Sequence, residues 1–111
     1  MSTYIMRIRP RFIESIRNGI KKHEYRLAEP ERMKIRLGDT IVLVSNQNPE
    51  DYVRVFVNSV SIFKGWDEAL DGRWENDFRG TYSSYDELIR ECHKTKKSLR
   101  VFPANSMPTK S

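Results

Sequence analysis

The fold and function of this chain are predicted mainly from one short stretch, Asn18-Gly19-Ile20-Lys21-Lys22-His23-Glu24-Tyr25-Arg26. Asn18-Gly19 is a left-handed stop signal for a helix, and residues 10–18 before it carry an apolar helical stripe. Residues 23–27 alternate as a strand, so Glu24 and Arg26 lie on one face. The stretch therefore predicts a helix, a basic turn and a strand that brings a carboxylate and a guanidinium together.

The composition indicates one domain that binds no membrane. The chain has 111 residues, a net charge of +5 and one cysteine, Cys92. A lone cysteine excludes an intramolecular disulfide and favours a reducing compartment, so we expect a cytoplasmic protein. No apolar run approaches the roughly 20 residues of a membrane span, and Arg7 and Arg9 interrupt any signal-peptide core. The positive charge is compatible with a nucleic-acid partner and equally with an unspecialised basic surface.

Periodicity predicts the order of the elements. We expect strands over 4–9, 23–27, 40–45 and 52–63, the last bent near Asn58-Ser59, and a weak strand over 99–102. We expect helices over 10–18 and 65–70, a basic helical turn or loop over 31–37, and an irregular stretch over 71–82. Ser84 and Glu87 have the spacing of a capping box for a helix that runs to Cys92.

Short loops between neighbouring strands, with few long helices, predict an α+β fold. We expect a small, mostly antiparallel β-barrel or curled sheet with peripheral helices. Residues 1–103 would form the domain, and residues 104–111 would form a disordered tail rich in Ser, Pro and Asn.

The charged side chains of the opening stretch have three interpretations. In a binding site, Lys21, Lys22 and Arg26 would hold phosphates and Glu24 would accept hydrogen bonds from a base or a ribose. In an active site, Lys21, held near other cations and partly dehydrated, would act as base or nucleophile. The third interpretation is a surface ion pair beside a solvated basic turn, which is common and contributes little.

Several other residues have two interpretations, one structural and one functional. Arg7, Arg9 and Arg54 lie on strand faces and either line a cleft or face solvent. Trp66, Trp74, Phe78 and Tyr82 either stack on bases or, as we expect, pack in the core. We expect Cys92 to be an inert core thiol, His93 a cation at a helix C-terminus, and the Lys94–Arg100 run a solvated face. The sequence contains no phosphate loop and no clustered metal ligands, so we expect no metal and no cofactor.

The opening stretch resembles the signature of the ASCH domain, Gly-x-Lys-x-x-Glu-x-Arg followed by a Gly-Asp turn into an apolar strand. The matching residues are Gly19, Lys21, Glu24, Arg26, Gly38 and Asp39. The helix over 82–92 is similar to the family's late helix, so the resemblance covers most of the chain.

The resemblance implies a PUA-like β-barrel whose cleft, lined by the motif, binds RNA or a nucleotide-derived ligand. Some members are hydrolases: one branch deacetylates N4-acetylcytidine with a lysine, a threonine and a glutamate, and others are reported to cleave RNA. Lys21 matches that lysine, but Glu24 stands where the branch has threonine, and Glu75 lies in the region of its glutamate without aligning to it. The C-terminal segment also lacks the family's clear closing strand, which predicts a short closing strand or a partly open barrel.

The sequence therefore predicts a module that binds RNA or a modified nucleotide in a basic cleft around Lys21, Lys22, Glu24, Arg26, Arg9 and Arg54. The alternative is a hydrolase on the same fold, an amidohydrolase or ribonuclease that uses Lys21 and Glu24 as catalytic residues. A protein-interaction module with an incidental basic face is the third hypothesis.

Overall fold

Short strands and helices alternate along the chain in the computed structural model, which describes residues 1–78, 80–92 and 98–104. The strands are β1 Thr3–Ile8, β2 His23–Leu27, β3 Thr40–Ser45, β4 Tyr52–Phe56, β5 Ser61–Phe63 and β6 Leu99–Pro103. The helices are α1 Pro10–Arg17, α2 Pro30–Met33, α3 Trp66–Leu70, α4 Trp74–Asp77 and α5 Tyr85–Cys92. None of these helices is long and apolar enough to cross a membrane.

The first sheet has the strand order β1-β3-β4. β1 runs parallel to β3, and β3 runs antiparallel to β4. The predicted alternation of β1 and β4 is confirmed, because buried side chains such as Met6 and Val55 alternate with exposed ones. The apolar run in β3 indicates a strand buried on both faces, but Val42 and Val44 are only half-buried. Helix α1 adds Ile13 and Ile16 to the same core cluster, so it covers the inner face of this sheet.

The second sheet has the order β2-β6-β5, with antiparallel pairs on both sides of β6. The segment that the sequence predicts as a weak closing strand is therefore a central strand. Leu99 and Val101 pack in a second core cluster, whereas Phe102 belongs to the first. Both faces of β6 are buried for this reason, and it joins the two cores.

The α+β class and the mainly antiparallel pairing are confirmed, but the described strands form two separate three-stranded sheets and no closed barrel. The expected continuous strand over 52–63 is wrong. It breaks between Phe56 and Ser61, and the chain there passes from the first sheet to the second. The apolar positions change phase at Asn58-Ser59, where a bend is predicted, but alternation does not show that the two parts pair in different sheets.

Three further expectations differ from the structure. The stretch over 71–82 contains the short helix α4. Ser84 Oγ accepts the N–H of Glu87 as expected, but the Glu87 carboxylate accepts from Ser83, one residue earlier than a capping box requires. Ala104, assigned to the tail, is buried and its N–H donates to the carbonyl of Lys22 at 2.7 Å. Residues 105–111 of the predicted tail lie outside the described residues.

Two of the turns before strands require glycine. Gly19 follows α1 with a φ of 77°, and Gly38 precedes β3 with a φ of 92°, both in the left-handed region that favours glycine. Asp39 fixes the second turn, because its carboxylate accepts the backbone N–H groups of Ser2 and Arg36, each at 2.8 Å. These two bonds lower the pKa of Asp39.

Arg100 connects β6 to the segment after α2. The Lys94–Arg100 run was expected to be solvated, and at Arg100 this is wrong, because the residue is only 7% exposed. Its guanidinium donates to the carbonyl of Arg32 and, at 2.8 Å, to that of Ile35. Residues 93–97 of the run, with His93, lie outside the described residues.

Replacing Arg100 should therefore destabilise the fold. Arg100→Met removes the side-chain donor of the Ile35 carbonyl and one of the donors of the Arg32 carbonyl, and we expect a loss of about 2 kcal/mol in the free energy of unfolding. Urea denaturation measures this loss. Lys34→Met is the matched control, because Lys34 is exposed on the same segment. Equal stability of the two variants would show that the Arg100 bonds contribute nothing.

Candidate ligand-binding cleft

A cleft of about 380 Å³ lies beside β1 and β2, and α1, α3 and α5 contribute to its walls. Its charged part comprises Lys21, Glu24 and Arg26 from the motif together with Arg7, Arg9 and Glu91. Its aromatic part comprises Phe12, Tyr25, Trp66, Phe78 and Tyr82. A concave site of this size with apolar walls and a few polar groups is typical of small-ligand binding.

Glu24 lies at the centre of the charged part and is only 5% exposed. Its Oε1 accepts from Lys21 Nζ at 3.1 Å and from the N–H of Tyr25 at 3.2 Å. Its Oε2 accepts from Arg26 Nε at 3.1 Å and from a terminal guanidinium nitrogen of Arg26 at 2.8 Å. A carboxylate has about four lone-pair sites, so Glu24 has no acceptor position left over.

The same contacts keep Glu24 ionised. Burial alone would raise the pKa of its carboxyl group, but the charges of Lys21 and Arg26 and their hydrogen bonds outweigh burial. The pKa of Glu24 therefore lies below its ordinary value. Arg26 also donates to the carbonyl of Arg7 at 3.0 Å, which ties β2 to the edge of the first sheet.

Lys21 is buried, as one interpretation of the opening stretch required. It is 2% exposed and donates to the carbonyl of His23 as well as to Glu24. The rings of Phe12, Tyr25 and Phe78 surround its amine, with centroids 5.8, 5.2 and 5.5 Å from Nζ. Ring faces attract a cation and replace part of its lost hydration. The interpretation as a solvated basic turn does not hold at Lys21, whereas the neighbouring Lys22 is exposed.

Asp77 contacts three residues of the motif, and the sequence did not predict this. Its carboxylate accepts the N–H of Lys22 at 2.6 Å, lies 2.9 Å from His23 Nδ1 and accepts the hydroxyl of Tyr25. Burial would raise the pKa of Asp77, but hydrogen bonds from His23 and Tyr25 lower it overall. Burial and Asp77 together raise the pKa of Tyr25. More than fifty positions separate Asp77 from these partners, so no spacing in the sequence points to it.

The remaining predicted site residues separate into two groups. Arg9 lines the cleft and forms an exposed ion pair with Glu91 at 3.7 Å. Arg54 is exposed on β4, and neither it nor Lys22 is among the residues that line the cleft. Glu75 is exposed on α4 and does not line it either. Glu91, which the sequence did not single out, is the second carboxylate at the cleft.

The aromatic residues pack in the core as expected, and three of them also line the cleft. Trp66, Phe78 and Tyr82 pack with the second core cluster and also line the cleft, whereas Trp74 packs against Tyr85 with ring centroids 5.4 Å apart. Cys92 lines the cleft too, and burial raises the pKa of its thiol to about 11. It is therefore a protonated, weakly reactive thiol at neutral pH. Among the described residues, no group of three or more His, Cys, Asp or Glu side chains could hold a metal ion.

Solved structures share this fold at low sequence identity. The crystal structure of the hypothetical protein PH0355 has a TM-score of 0.71 at 20% identity, over 96% of this chain and 100% of that one. The solution structure of PF0455 from Pyrococcus furiosus has a TM-score of 0.65 at 22% identity, over 98% and 100%. The crystal structure of ASCH from Zymomonas mobilis has a TM-score of 0.63 at 15% identity, over 92% and 68%. No curated protein matches the sequence.

The sequence itself identifies the family. The family model described as the ASCH domain matches residues 6–102, which include the whole motif, the Gly38-Asp39 turn and β6. This confirms the resemblance inferred from the motif. The chain belongs to the ASCH domain family.

Proposed function

We propose that this protein binds RNA or a modified nucleotide, with one nucleotide held in the cleft. The observation that carries the proposal is the combination of a cationic rim and aromatic walls in one concave site. Aromatic faces stack on any base, and arginines contact phosphates. The volume of about 380 Å³ suits one unit of a single strand, whereas a duplex is read across a broad surface.

In this proposal Glu24 acts on the ligand indirectly. All four of its acceptor positions are used, so it would accept a hydrogen bond from a ligand only if one of its present bonds opened. It holds Lys21 and Arg26 in place, and the rim arginines Arg7 and Arg9, which are exposed, meet the phosphates. Lys22 and Arg54 would then contact only those parts of a longer RNA that extend beyond the cleft.

A cytoplasmic location remains part of the proposal, and so does a domain over residues 1–103, extended to the buried Ala104. The single cysteine supports the first, because a lone thiol suits a reducing compartment. The continuous packing from β1 to β6 supports the second.

A hydrolase is the second candidate function, and one observation favours it. Lys21 Nζ and Glu24 Oε1 lie 3.1 Å apart at the base of an aromatic cleft, where a base or nucleophile and its partner carboxylate would be kept from water. The substrate would be an acylated nucleoside or an RNA phosphodiester.

Salt dependence tests the binding proposal. We expect the logarithm of the affinity for a single-stranded RNA to fall linearly with the logarithm of salt concentration, by about 0.7 per phosphate contacted. Arg9→Ala should make this slope shallower by about 0.7, because one phosphate contact is lost. Fluorescence anisotropy titrations at several salt concentrations measure it.

Lys34→Ala is the matched control for Arg9→Ala, because it removes one exposed positive charge away from the cleft. It should leave the slope unchanged. A flat salt response of the wild type would count against RNA and favour a protein-interaction module. Equal slopes for Arg9→Ala and Lys34→Ala would show that Arg9 contacts no phosphate of the bound RNA.

Turnover tests the hydrolase. The protein is incubated with N4-acetylcytidine and separately with single-stranded RNA, and products are separated by chromatography. Lys21→Ala should abolish product formation, whereas Lys22→Ala should retain it, because the Lys22 side chain is exposed and outside the cleft. Circular dichroism checks that both variants are folded. Wild-type product no greater than that of Lys21→Ala would exclude hydrolysis of these substrates by Lys21.

A further inference from the structure

The outer face of the first sheet forms a second exposed surface. The register of its strands places nine outward side chains in three rows across β1, β3 and β4. The rows are Thr3, Thr40 and Phe56; Ile5, Val42 and Arg54; and Arg7, Val44 and Tyr52. We call these nine residues the outer sheet face.

Large apolar side chains are exposed on this face. Ile5 is 72% exposed, Tyr52 47% and Phe56 43%. Helix α1, which contacts this sheet, places Ile13 and Ile16 in the first core cluster on the opposite, inner side. A contiguous exposed apolar surface of this kind on a small domain indicates an interaction site.

The charges on the outer sheet face have one sign. Arg7 and Arg54 lie on it, and none of the nine positions is a carboxylate. Arg7 also lines the cleft, so the two surfaces meet at the edge of β1. A ligand that extends out of the cleft past Arg7 would therefore contact the outer sheet face.

We propose that the outer sheet face is an extended contact surface for single-stranded RNA, continuous with the cleft through Arg7. The inference rests on the proposed function and extends it from one nucleotide to a strand. Tyr52 and Phe56 would stack on bases, and Arg54 between them would contact the intervening backbone. Along a strand that rises about 3.3 Å per residue, the two rings are about 13 Å apart.

A second copy of the chain fits this face less well. In a symmetric dimer the same patch meets itself, so Arg7 and Arg54 would face the same cations with no carboxylate on the face to pair with them. A polyanion with flat, apolar bases matches both the charge and the aromatic rings.

The test compares two double variants on two probes. Arg54→Ala/Phe56→Ala removes one charge and one exposed apolar side chain from the outer sheet face. Lys34→Ala/Ile62→Ala removes the same two kinds of group elsewhere, because Lys34 and Ile62 are both exposed and neither lies on that face. The probes are a trinucleotide, which reports on the cleft, and a 12-nucleotide single-stranded RNA, which reaches both surfaces.

We expect Arg54→Ala/Phe56→Ala to weaken binding of the 12-nucleotide RNA at least about fivefold relative to the control, with the trinucleotide affinity unchanged. Equal 12-nucleotide affinities would overturn the extended surface and leave the cleft proposal standing if the trinucleotide binds. If the trinucleotide does not bind but the affinity for the 12-nucleotide RNA still depends on Arg54 and Phe56, the cleft proposal alone is overturned. Sedimentation showing a wild-type dimer that the outer-face variant abolishes would assign the face to self-association and overturn RNA binding there.

Discussion

The buried carboxylate of Glu24 imposes the main constraint on this structure. An ionised group removed from water is costly unless it is paired and fully hydrogen-bonded. Lys21 and Arg26 supply the opposite charges, and together with the N–H of Tyr25 they fill every acceptor position of the carboxylate. Removing either cation would leave an acceptor position of this buried carboxylate empty. A buried pair of this kind contributes little net stability, so its arrangement is better explained by the site it forms than by the fold.

Three parts of the fold hold the network of Lys21, Glu24 and Arg26 in position. The positive-φ turn at Gly19 returns the chain from α1 so that Lys21 enters a cage of three aromatic rings. Pairing of β2 with β6 fixes the strand that carries Glu24 and Arg26, and Arg26 reaches the carbonyl of Arg7 on the other sheet. Asp77 holds the backbone of Lys22 and the side chains of His23 and Tyr25. The cleft therefore lies where the two sheets meet, and its rim continues onto the outer sheet face.

Local patterns in the sequence predict the early elements well. Alternation and the Asn18-Gly19 stop place β1, α1 and β2 within one or two residues, and Gly38-Asp39 correctly marks the turn into β3. The later strands are harder to predict, since Arg100 interrupts the apolar pattern of β6, and the pattern near Asn58-Ser59 indicates a bend but not the change of sheet between β4 and β5. Lysine is rarely buried, so the sequence singles out Lys21 for its charge but does not predict that its amine lies among three aromatic rings. The contacts of Asp77 and the parallel pairing of β1 with β3 arise from tertiary structure that no local pattern encodes.

The protonation of Glu24 is the most direct measurement of this arrangement. A carboxyl group whose pKa is lowered in the folded state adds stability above its ordinary pKa, and this contribution is lost as the pH falls through the folded value. Carbon-13 NMR titration of the Glu24 carboxyl should give a midpoint below the ordinary glutamate value of about 4.3, and Arg26→Met should raise that midpoint. A midpoint at or above the ordinary value, unchanged in Arg26→Met, would contradict the buried ionised network on which the cleft depends.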